Sequence, residues 1–138
     1  GSTDELVSVL SAFFADGETV YTEIMGDEIK EYKTDREKLA DFDKMVILCN
    51  EKTISSAETF IHCMKSRFGD KVTVIGQQTY GKNFSFNIYK FRDGDVLTFV
   101  TAHMGDYKGK TFSHEGITPD IVCEADDCEE IAKKELAE

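Results

Sequence analysis

Apolar residues repeat with two different periods along the chain, and these periods predict both helices and strands. A helical period predicts three helices, at residues 4–16, 55–69 and 126–138. Alternating or continuous apolar runs predict six strands, at residues 19–24, 28–33, 44–50, 71–76, 84–91 and 96–102. Strands alternating with helices are typical of an α/β fold. We therefore predict a single α/β domain over residues 1–138.

The order of these elements predicts how the strands pair. The run 44–50 is apolar throughout, which is typical of a strand buried on both faces. A helix and a second apolar strand, 71–76, follow it, so the three are predicted to form a right-handed parallel crossover. The strands at 19–33 and at 84–102 are joined by Gly-Asp and Asp-Gly-Asp turns, which predict two antiparallel hairpins. Residues 34–43 are charged and predicted to be a loop, and the last helix is predicted to be acidic and exposed.

Composition narrows the classes of function. The chain has 138 residues, of which 41% are hydrophobic, so it can bury a core of its own. It carries 27 Asp and Glu against 16 Lys and Arg, a formal net charge of −11. Phosphate backbones and anionic membrane surfaces are bound by clustered Lys and Arg, so we expect no nucleic-acid partner and no membrane-surface role. No apolar stretch approaches the ~18 residues of a membrane-spanning helix.

The four cysteines do not form the dense framework of a small disulfide-stapled domain. Cys49, in a strand, and Cys63, in a helix, are predicted to be small buried hydrophobes. Cys123 and Cys128 could either pair or stay reduced. The three histidines are scattered and there is no CxxC motif, which argues against a zinc site.

Two loops carry candidate chemistry. Residues 50–58 and 76–82 each follow a strand of the predicted parallel pair, so both lie at the carboxyl edge where ligand sites of α/β sheets form. Ser55, at a helix start, and Lys82, in a glycine-flanked loop, could meet there. A serine nucleophile needs a base, and a lysine serves only when neutral. Moving a lysine from a pKa of about 10.4 to about 7–8 takes roughly 4 kcal/mol of desolvation. The amide of Ser56 would face an anion at the helix start.

Each of these residues also has a purely structural interpretation. The spacing Ser55-x-x-Glu58 is that of a capping box, which satisfies helix amides. Taken alone, Lys82 is typical of a solvated surface lysine. His62, on the second predicted helix, is typical of a core or surface residue, and no His lies in a comparable loop.

Four segments in the same order resemble the C-terminal processing peptidases, also called tail-specific proteases. They are Met45-Val-Ile-Leu-Cys-Asn50, Thr53-Ile-Ser-Ser-Ala-Glu58, Val74-Ile-Gly-Gln-Gln-Thr-Tyr-Gly-Lys82 and Gly116-Ile-Thr-Pro-Asp-Ile-Val122. Each motif is weak alone, but four in this order are specific, and the resemblance runs from about residue 5 to 122. It implies a ClpP/crotonase-like protease core, with a mixed sheet and flanking helices, and a Ser/Lys dyad.

Carried over residue by residue, the resemblance places the nucleophile on Ser55, the general base on Lys82 and one oxyanion donor on the amide of Ser56. Ser56 as nucleophile is the neighbouring alternative, although it matches a position that is usually Ala. The implied reaction is endopeptidase hydrolysis through an acyl-enzyme. The implied partners are protein or peptide substrates with unstructured C-terminal tails, the implied cofactor is none, and the implied location is extracytoplasmic or in the cell envelope.

The chain departs from the family pattern at several places. Phe86 stands where members often carry a Gln that orients the lysine, and Asn83 stands where Gly is usual. The strand ending in Leu-Arg-x-Asn-x-Gly-Gly, which supplies the second oxyanion amide, and the PDZ domain are not found in these residues. We therefore expect the C-terminal part of a protease core, weak or inactive by itself, from a parent peptidase. Gly1-Ser2 without a Met is expected to be a tag remnant.

Two alternatives stay open at this point. The first is a non-catalytic relative of the same fold, or a fragment, that only binds peptide along a sheet edge; Phe86 and the family strand not found in these residues both favour it. The second is a crotonase-like acyl-CoA enzyme, since a fold does not determine a function. The oligomeric state is also left open by the sequence.

Overall fold

The predicted helices and strands are present in the computed structural model, which describes residues 1–137. In chain order the elements are α1 (Thr3–Ser11), β1 (Thr19–Met25), β2 (Glu28–Lys33), β3 (Met45–Cys49), α2 (Ser56–Phe68), a 3₁₀ turn (Gly69–Lys71), β4 (Val72–Gly76), β5 (Phe84–Lys90), β6 (Val96–Gly105), β7 (Ile121–Val122) and α3 (Ala125–Ala137). The predicted last helix extends to Glu138, which lies outside the described residues. No helix within residues 1–137 is long and apolar enough to cross a bilayer.

The strands divide into two sheets. One is antiparallel, in the order β2-β1-β6-β5, and the other is parallel, in the order β3-β4-β7. The predicted parallel pairing of β3 with β4 across α2 is confirmed, and so are both predicted hairpins. The α/β class is therefore confirmed, with parallel and antiparallel strands in separate sheets rather than in one mixed sheet.

The first helix is shorter than its apolar period predicts, because the following loop caps it. α1 ends at Ser11, whose hydroxyl donates to the carbonyl of Val7 (2.7 Å). The carbonyl of Ala12 accepts from the amides of Leu39 and Ala40 (2.9 and 3.0 Å), which lie in the predicted loop 34–43. These bonds from a distant loop satisfy the orphan carbonyls at the helix end.

Helices cover both faces of the parallel sheet. Ile47 and Val74 are paired across β3 and β4 and pack on the α2 side, whereas Val46 and Ile75 pack on the α3 side. The prediction that the 44–50 strand is buried on both faces holds only in part, since Leu48 is 49% exposed. β3 is the edge strand of its sheet, so neither helix covers its outer end.

The last helix is exposed on one face only. Cys128 and Ala132 are buried against the parallel sheet, and Lys44 makes an ion pair with Glu135 (2.9 Å). Cys123 and Cys128 form a disulfide, which selects one of the two alternatives left by the sequence. Cys49 and Cys63 are free and buried, as predicted. The disulfide thus fixes the start of α3 to the end of β7.

The main core lies between the helices α1 and α2 and the antiparallel sheet. Its buried residues are Leu6, Val7, Leu10, Phe14, Val20, Tyr21, Cys63, Met64, Val72, Met104 and Phe112. α2 contributes to this core and to the smaller cluster against the parallel sheet. The start of α2 is therefore held in position from both sides.

Asp106 fastens the end of β6 to α2. It is 1% exposed and accepts hydrogen bonds from the Ser66 hydroxyl on α2 and from the amides of Lys108 and Lys110 (both 2.9 Å). Burial raises the pKa of the Asp106 carboxyl, but these hydrogen bonds and the nearby His62 outweigh it and hold the pKa below its usual range. The ionised carboxylate is thus part of the native packing.

Glu58 joins the start of α2 to the loop that follows β4. Its side chain is fully buried, at 0% exposure. One carboxylate oxygen, Oε1, accepts from the Thr79 hydroxyl and the Gly81 amide (both 2.6 Å), and the other, Oε2, accepts from the amides of Ser55 and Lys82 (both 2.9 Å). An ionised carboxylate only accepts hydrogen bonds, so four donors around its two oxygens satisfy it. The two candidate loops are therefore held by one side chain.

The lysine loop and the segment around Gly116 approach each other so closely that two positions have no room for a side chain, and both are glycines. Gly81 has φ +96°, and a Cβ there would lie 2.1 Å from the carbonyl oxygen of His114. Gly116 has φ +95°, and a Cβ there would lie 2.3 Å from the carbonyl oxygen of Thr79. The Gly116-Ile-Thr-Pro-Asp segment thus packs directly behind the lysine loop, and the amide of Ile117 donates to the Thr79 hydroxyl (2.7 Å).

Stability is expected to depend on the ionisation of Asp106. Because its folded pKa is lowered, its contribution is complete above the ordinary aspartate pKa of about 3.9 and is lost as pH falls through the folded value. We predict that Asp106→Asn lowers the free energy of unfolding by about 1–3 kcal/mol at pH 7, and by less at about pH 3. Urea unfolding at both pH values measures this. The exposed Asp27→Asn is the control, and an Asp106→Asn deficit that does not shrink at acid pH would contradict the assignment.

Removing the charge of Glu58 should loosen both loops at once. Glu58→Gln keeps the shape of the side chain but replaces one acceptor oxygen with an amide donor, which then faces backbone N–H groups. We predict a loss of about 2–4 kcal/mol in the free energy of unfolding, because buried donors lose their acceptor. Denaturant unfolding measures it, with the exposed Glu51→Gln as control. A loss as small as that of the control would show that the network is not stabilising.

Candidate active site

Ser55 has a backbone conformation that its residue type rarely adopts. It precedes α2 with φ 60° and ψ −120°, and it is the one non-glycine residue within 1–137 with a positive φ. Such conformations cost of order 1–3 kcal/mol and persist where the surroundings hold them, commonly at active sites. At Ser55 the amide is held by Glu58, and the carbonyl accepts from the amide and hydroxyl of Thr59 (2.9 and 3.2 Å).

The capping interpretation of Ser55-x-x-Glu58 is partly correct. Glu58 accepts from the Ser55 amide, which is the carboxylate half of a capping box. The Ser55 side chain lies toward the Glu58 amide but makes no capping hydrogen bond with it. Glu58 also reaches the lysine loop, so the motif serves a long-range contact as well as the helix end.

Within the described residues, the backbone amide of Ser56, next to Ser55, is free to donate a hydrogen bond to an anion. It is the first residue of α2, so its N–H has no intrahelical acceptor. The helix dipole adds positive potential at this position, which favours a negatively charged oxygen. The Ser56 hydroxyl is already engaged, since it donates to the carbonyl of Gly1 (3.2 Å).

Lys82 belongs to the other loop, and its side chain lines the same cavity as Ser55. Its amide is fixed by Glu58, while its Nζ lies 4.2 Å from the ring centroid of Phe86 and 5.8 Å from that of Phe84. Within residues 1–137 no hydrogen bond joins Nζ to the Ser55 hydroxyl. The two loops are also tied directly, since the amide of Tyr80 donates to the carbonyl of Thr53 (3.1 Å).

Ser55 and Lys82 line one cavity of about 460 Å³. Its wall is formed mainly by apolar and aromatic side chains from α1, β1, β5 and β6. Besides Ser55 and Lys82, the lining residues are Gly1, Ser2, Thr3, Leu6, Tyr21, Ile54, Ser56, Phe84, Ser85, Phe86 and Met104. The two loops therefore open on the same side of the fold and not on opposite faces.

A tyrosine that sequence reasoning missed, Tyr21, forms part of the wall and is held by a carboxylate behind it. Tyr21 is buried, and its hydroxyl donates to Glu23 (3.2 Å). Burial, together with the nearby Glu23, raises the Tyr21 pKa well above its usual range, so the phenol stays neutral. Glu23 also accepts from the hydroxyls of Tyr32 and Ser85 (2.7 and 3.2 Å). No local motif marks these residues, because they meet only when β1, β2 and β5 are assembled.

The structure therefore brings together all three residues singled out from the sequence: Ser55, Ser56 and Lys82. Their catalytic roles stay predictions. What the sequence did not reveal is the strained backbone of Ser55, the central position of Glu58 and the aromatic surroundings of Lys82.

Comparisons with known proteins show the family and the fold of this chain. The family described as peptidase family S41 matches residues 1–123. A protein of Staphylococcus epidermidis named "Probable CtpA-like serine protease" is 32% identical over 123 residues, which are 88% of this chain and 25% of the relative. This chain thus spans about a quarter of the length of that curated relative.

Solved structures show the same fold. A photosystem II D1 C-terminal processing protease superposes with a TM-score of 0.74 at 20% identity, over 90% of this chain and 32% of that protein. A lipoprotein from Streptococcus agalactiae superposes with a TM-score of 0.70 at 20% identity, over 97% of this chain and 50% of that protein.

The resemblance drawn from four short motifs is thus confirmed by a match along most of the chain and by the fold. On the extent of the family match, this chain belongs to peptidase family S41.

Proposed function

We propose that the protein of which this chain is part is a serine endopeptidase that uses Ser55 as nucleophile and Lys82 as general base. The observation that carries the proposal is a strained Ser55 and a lysine opening into one cavity, their loops held together by the buried Glu58. The membership in a peptidase family and the serine protease name of a relative support the reaction class.

The proposed reaction proceeds in two halves. Ser55 Oγ attacks the peptide carbonyl carbon while Lys82 Nζ takes the hydroxyl proton, and the resulting oxyanion accepts a hydrogen bond from the Ser56 amide. The peptide C–N bond then breaks, the leaving amine takes the proton from Lys82, and an ester to Ser55 remains. Water attacks this ester with Lys82 again taking a proton, and the acid product leaves as Ser55 Oγ regains its hydrogen.

For this reaction Lys82 has to turn from the Phe86 ring toward Ser55. Its backbone is fixed by Glu58, whereas its four-carbon stem rotates freely enough to move Nζ within the cavity. Catalytic hydrogen bonds are often absent in structures without substrate and form in the substrate complex.

The proposed substrates are extended segments near protein C-termini. The processing function in the name of the photosystem II D1 protease suggests this class, and the apolar wall of the cavity suits apolar side chains of an extended peptide. One oxyanion donor, the Ser56 amide, is available from the described residues, and loss of a donor costs about 10²–10³ in rate. Weak activity of these 138 residues alone is part of the proposal.

We also propose an extracytoplasmic location. The disulfide between Cys123 and Cys128 supports it, because disulfides persist in oxidising compartments outside the cytoplasm.

A non-catalytic peptide-binding role is the second candidate. β5 is the edge strand of the antiparallel sheet, and it carries exposed apolar side chains that an added strand could cover. Within residues 1–137 Lys82 Nζ makes no hydrogen bond to the Ser55 hydroxyl, which favours this candidate as well.

A serine-directed fluorophosphonate probe, applied to the whole protein of which this chain is part, separates the two candidates. We predict labelling of Ser55, loss of the label in Ser55→Ala, and labelling slowed by about 10²-fold or more in Lys82→Ala, because general-base catalysis contributes about that much. Peptide mapping by mass spectrometry locates and times the label, with the exposed Lys52→Ala as control. Equal labelling rates in Lys82→Ala and wild type would rule out the dyad, and an unlabelled wild type would favour peptide binding without catalysis.

The compartment proposal predicts the state of the cysteines. In protein isolated from its native cell without reductant, the thiols of Cys49 and Cys63 should react with an alkylating reagent only after unfolding, since both are buried. Cys123 and Cys128 should react only after reduction as well. Intact mass measurement counts the modified thiols, and four modified thiols without reduction would contradict the proposed location.

A further inference from the structure

The ammonium group of Lys82 lies against aromatic rings. Its Nζ is 4.2 Å from the centroid of Phe86, within the distance at which the ring face attracts a cation. Phe84 is next nearest, at 5.8 Å. We infer that Phe86 is a positioning residue for Lys82, and that its ring keeps Nζ in the cavity beside Ser55. This inference rests on the proposed function of the dyad.

In the part of the chain that the structure describes, no polar group holds the Nζ of Lys82. Within residues 1–137, Lys82 Nζ has neither a hydrogen-bond acceptor nor a carboxylate within ion-pair distance. Glu58 fixes the backbone of Lys82 but not its four-carbon stem. A lysine side chain without contacts spreads over many rotamers, most of which point to solvent. On this inference, the aromatic contact sets how much of the time Nζ stays in the cavity that Ser55 also lines.

An irregularity in the pairing of β5 with β6 lies between Ser85 and Phe86. Ser85 pairs with Ala102, but Phe86 pairs with Val100, so Thr101 is an extra residue on β6. A β-bulge of this kind bends the strands and changes where a side chain points. Phe84 and Phe86 are alternate residues of β5 and share one face of the strand, and Lys82 Nζ lies 5.8 Å and 4.2 Å from their ring centroids.

Phe86 contributes little to the packing of the core. It is 39% exposed and belongs to none of the three hydrophobic clusters within residues 1–137. Because Phe86 is largely outside the core, substituting it should leave the fold intact.

The ring also gives Nζ a preference for a place against the ring face, which Nζ has to leave in order to take the proton from Ser55. At a half-exposed position this preference is weak, so the amine can leave the ring for Ser55. Loss of the ring, in contrast, opens all solvent-facing rotamers to Nζ. We therefore expect the net effect of removing it to be slower acylation.

The test compares Phe86→Leu and Phe86→Tyr with wild type in labelling of Ser55 by a small fluorophosphonate. Phe86→Leu removes the π face but keeps the apolar volume. We expect its limiting labelling rate to fall about two- to fivefold with little change in the probe concentration giving half that rate. Phe86→Tyr, which keeps the ring, should label like wild type. Phe99→Leu is the matched control, because Phe99 lies opposite Asn87 on the other face of the same hairpin and is 46% exposed.

A second measurement, independent of reactivity, follows the contact itself. The ε-methylene protons of Lys82, assigned by their absence in Lys82→Ala, should show an upfield ring-current shift in NMR spectra of wild type and Phe86→Tyr, and lose it in Phe86→Leu. A shift that is absent in wild type overturns the contact. Faster or unchanged labelling of Phe86→Leu, or a change confined to the half-saturating probe concentration, overturns the positioning role.

The two hypotheses fail in different ways. If wild type carries the ring-current shift but Ser55 is not labelled, the dyad is wrong and Phe86 has no catalytic side chain to position. If Ser55 is labelled in a Lys82-dependent manner but Phe86→Leu behaves as Phe99→Leu does, the dyad stands and the role of Phe86 is wrong.

Discussion

A single buried carboxylate holds the two loops of the candidate site at their observed separation. Glu58 accepts from two amides of the lysine loop, from the Thr79 hydroxyl and from the amide of Ser55. Burying a carboxylate costs several kcal/mol, and four donors aimed at its two oxygens are needed to offset that cost. The fold therefore tolerates this charge only when both loops are in place. The same condition fixes the backbones of Ser55 and Lys82 relative to each other.

The strained backbone of Ser55 is understandable from the same network. A serine at φ 60° would relax if its neighbours were free to move. Here its amide is held by Glu58, its carbonyl by Thr59, and the loop before it by the bond from Tyr80 to Thr53. Glycines at 81 and 116 let the lysine loop and the Gly116-Ile-Thr-Pro-Asp segment come close enough to close the network from behind. Local strain at one residue is thus sustained by contacts far apart in sequence.

The sequence predicted those parts of the fold that depend on local patterns. Apolar periods located the strands and helices, and strand–helix–strand order predicted the parallel pair β3–β4. The end of α1 at Ser11 could not be predicted, because the loop that caps it lies about 25 residues away in sequence. The pairing of β1 with β6 joins residues as distant as Thr22 and Gly105, and no local signal marks it. At the site the residues were predictable from motifs, whereas Glu58 looked like a helix cap because the same spacing serves both functions.

The hairpin β5–β6 should be less stable at residues farther from the cavity. Its local stability at Phe86 sets how firmly the ring can hold the Lys82 side chain. The far half of the hairpin has exposed apolar side chains on both faces, and a two-stranded ribbon is marginal in water by itself. The near end is anchored, since Asn83 accepts from the Met104 amide and donates to the Phe112 carbonyl (both 2.8 Å). Phe86 lies between the anchored end and the exposed half of the hairpin, directly after the bulge. If Lys82 is the proposed general base, a contact at this point suits it, because the base has to be restrained near the nucleophile and still be free to move a proton in both halves of the proposed reaction.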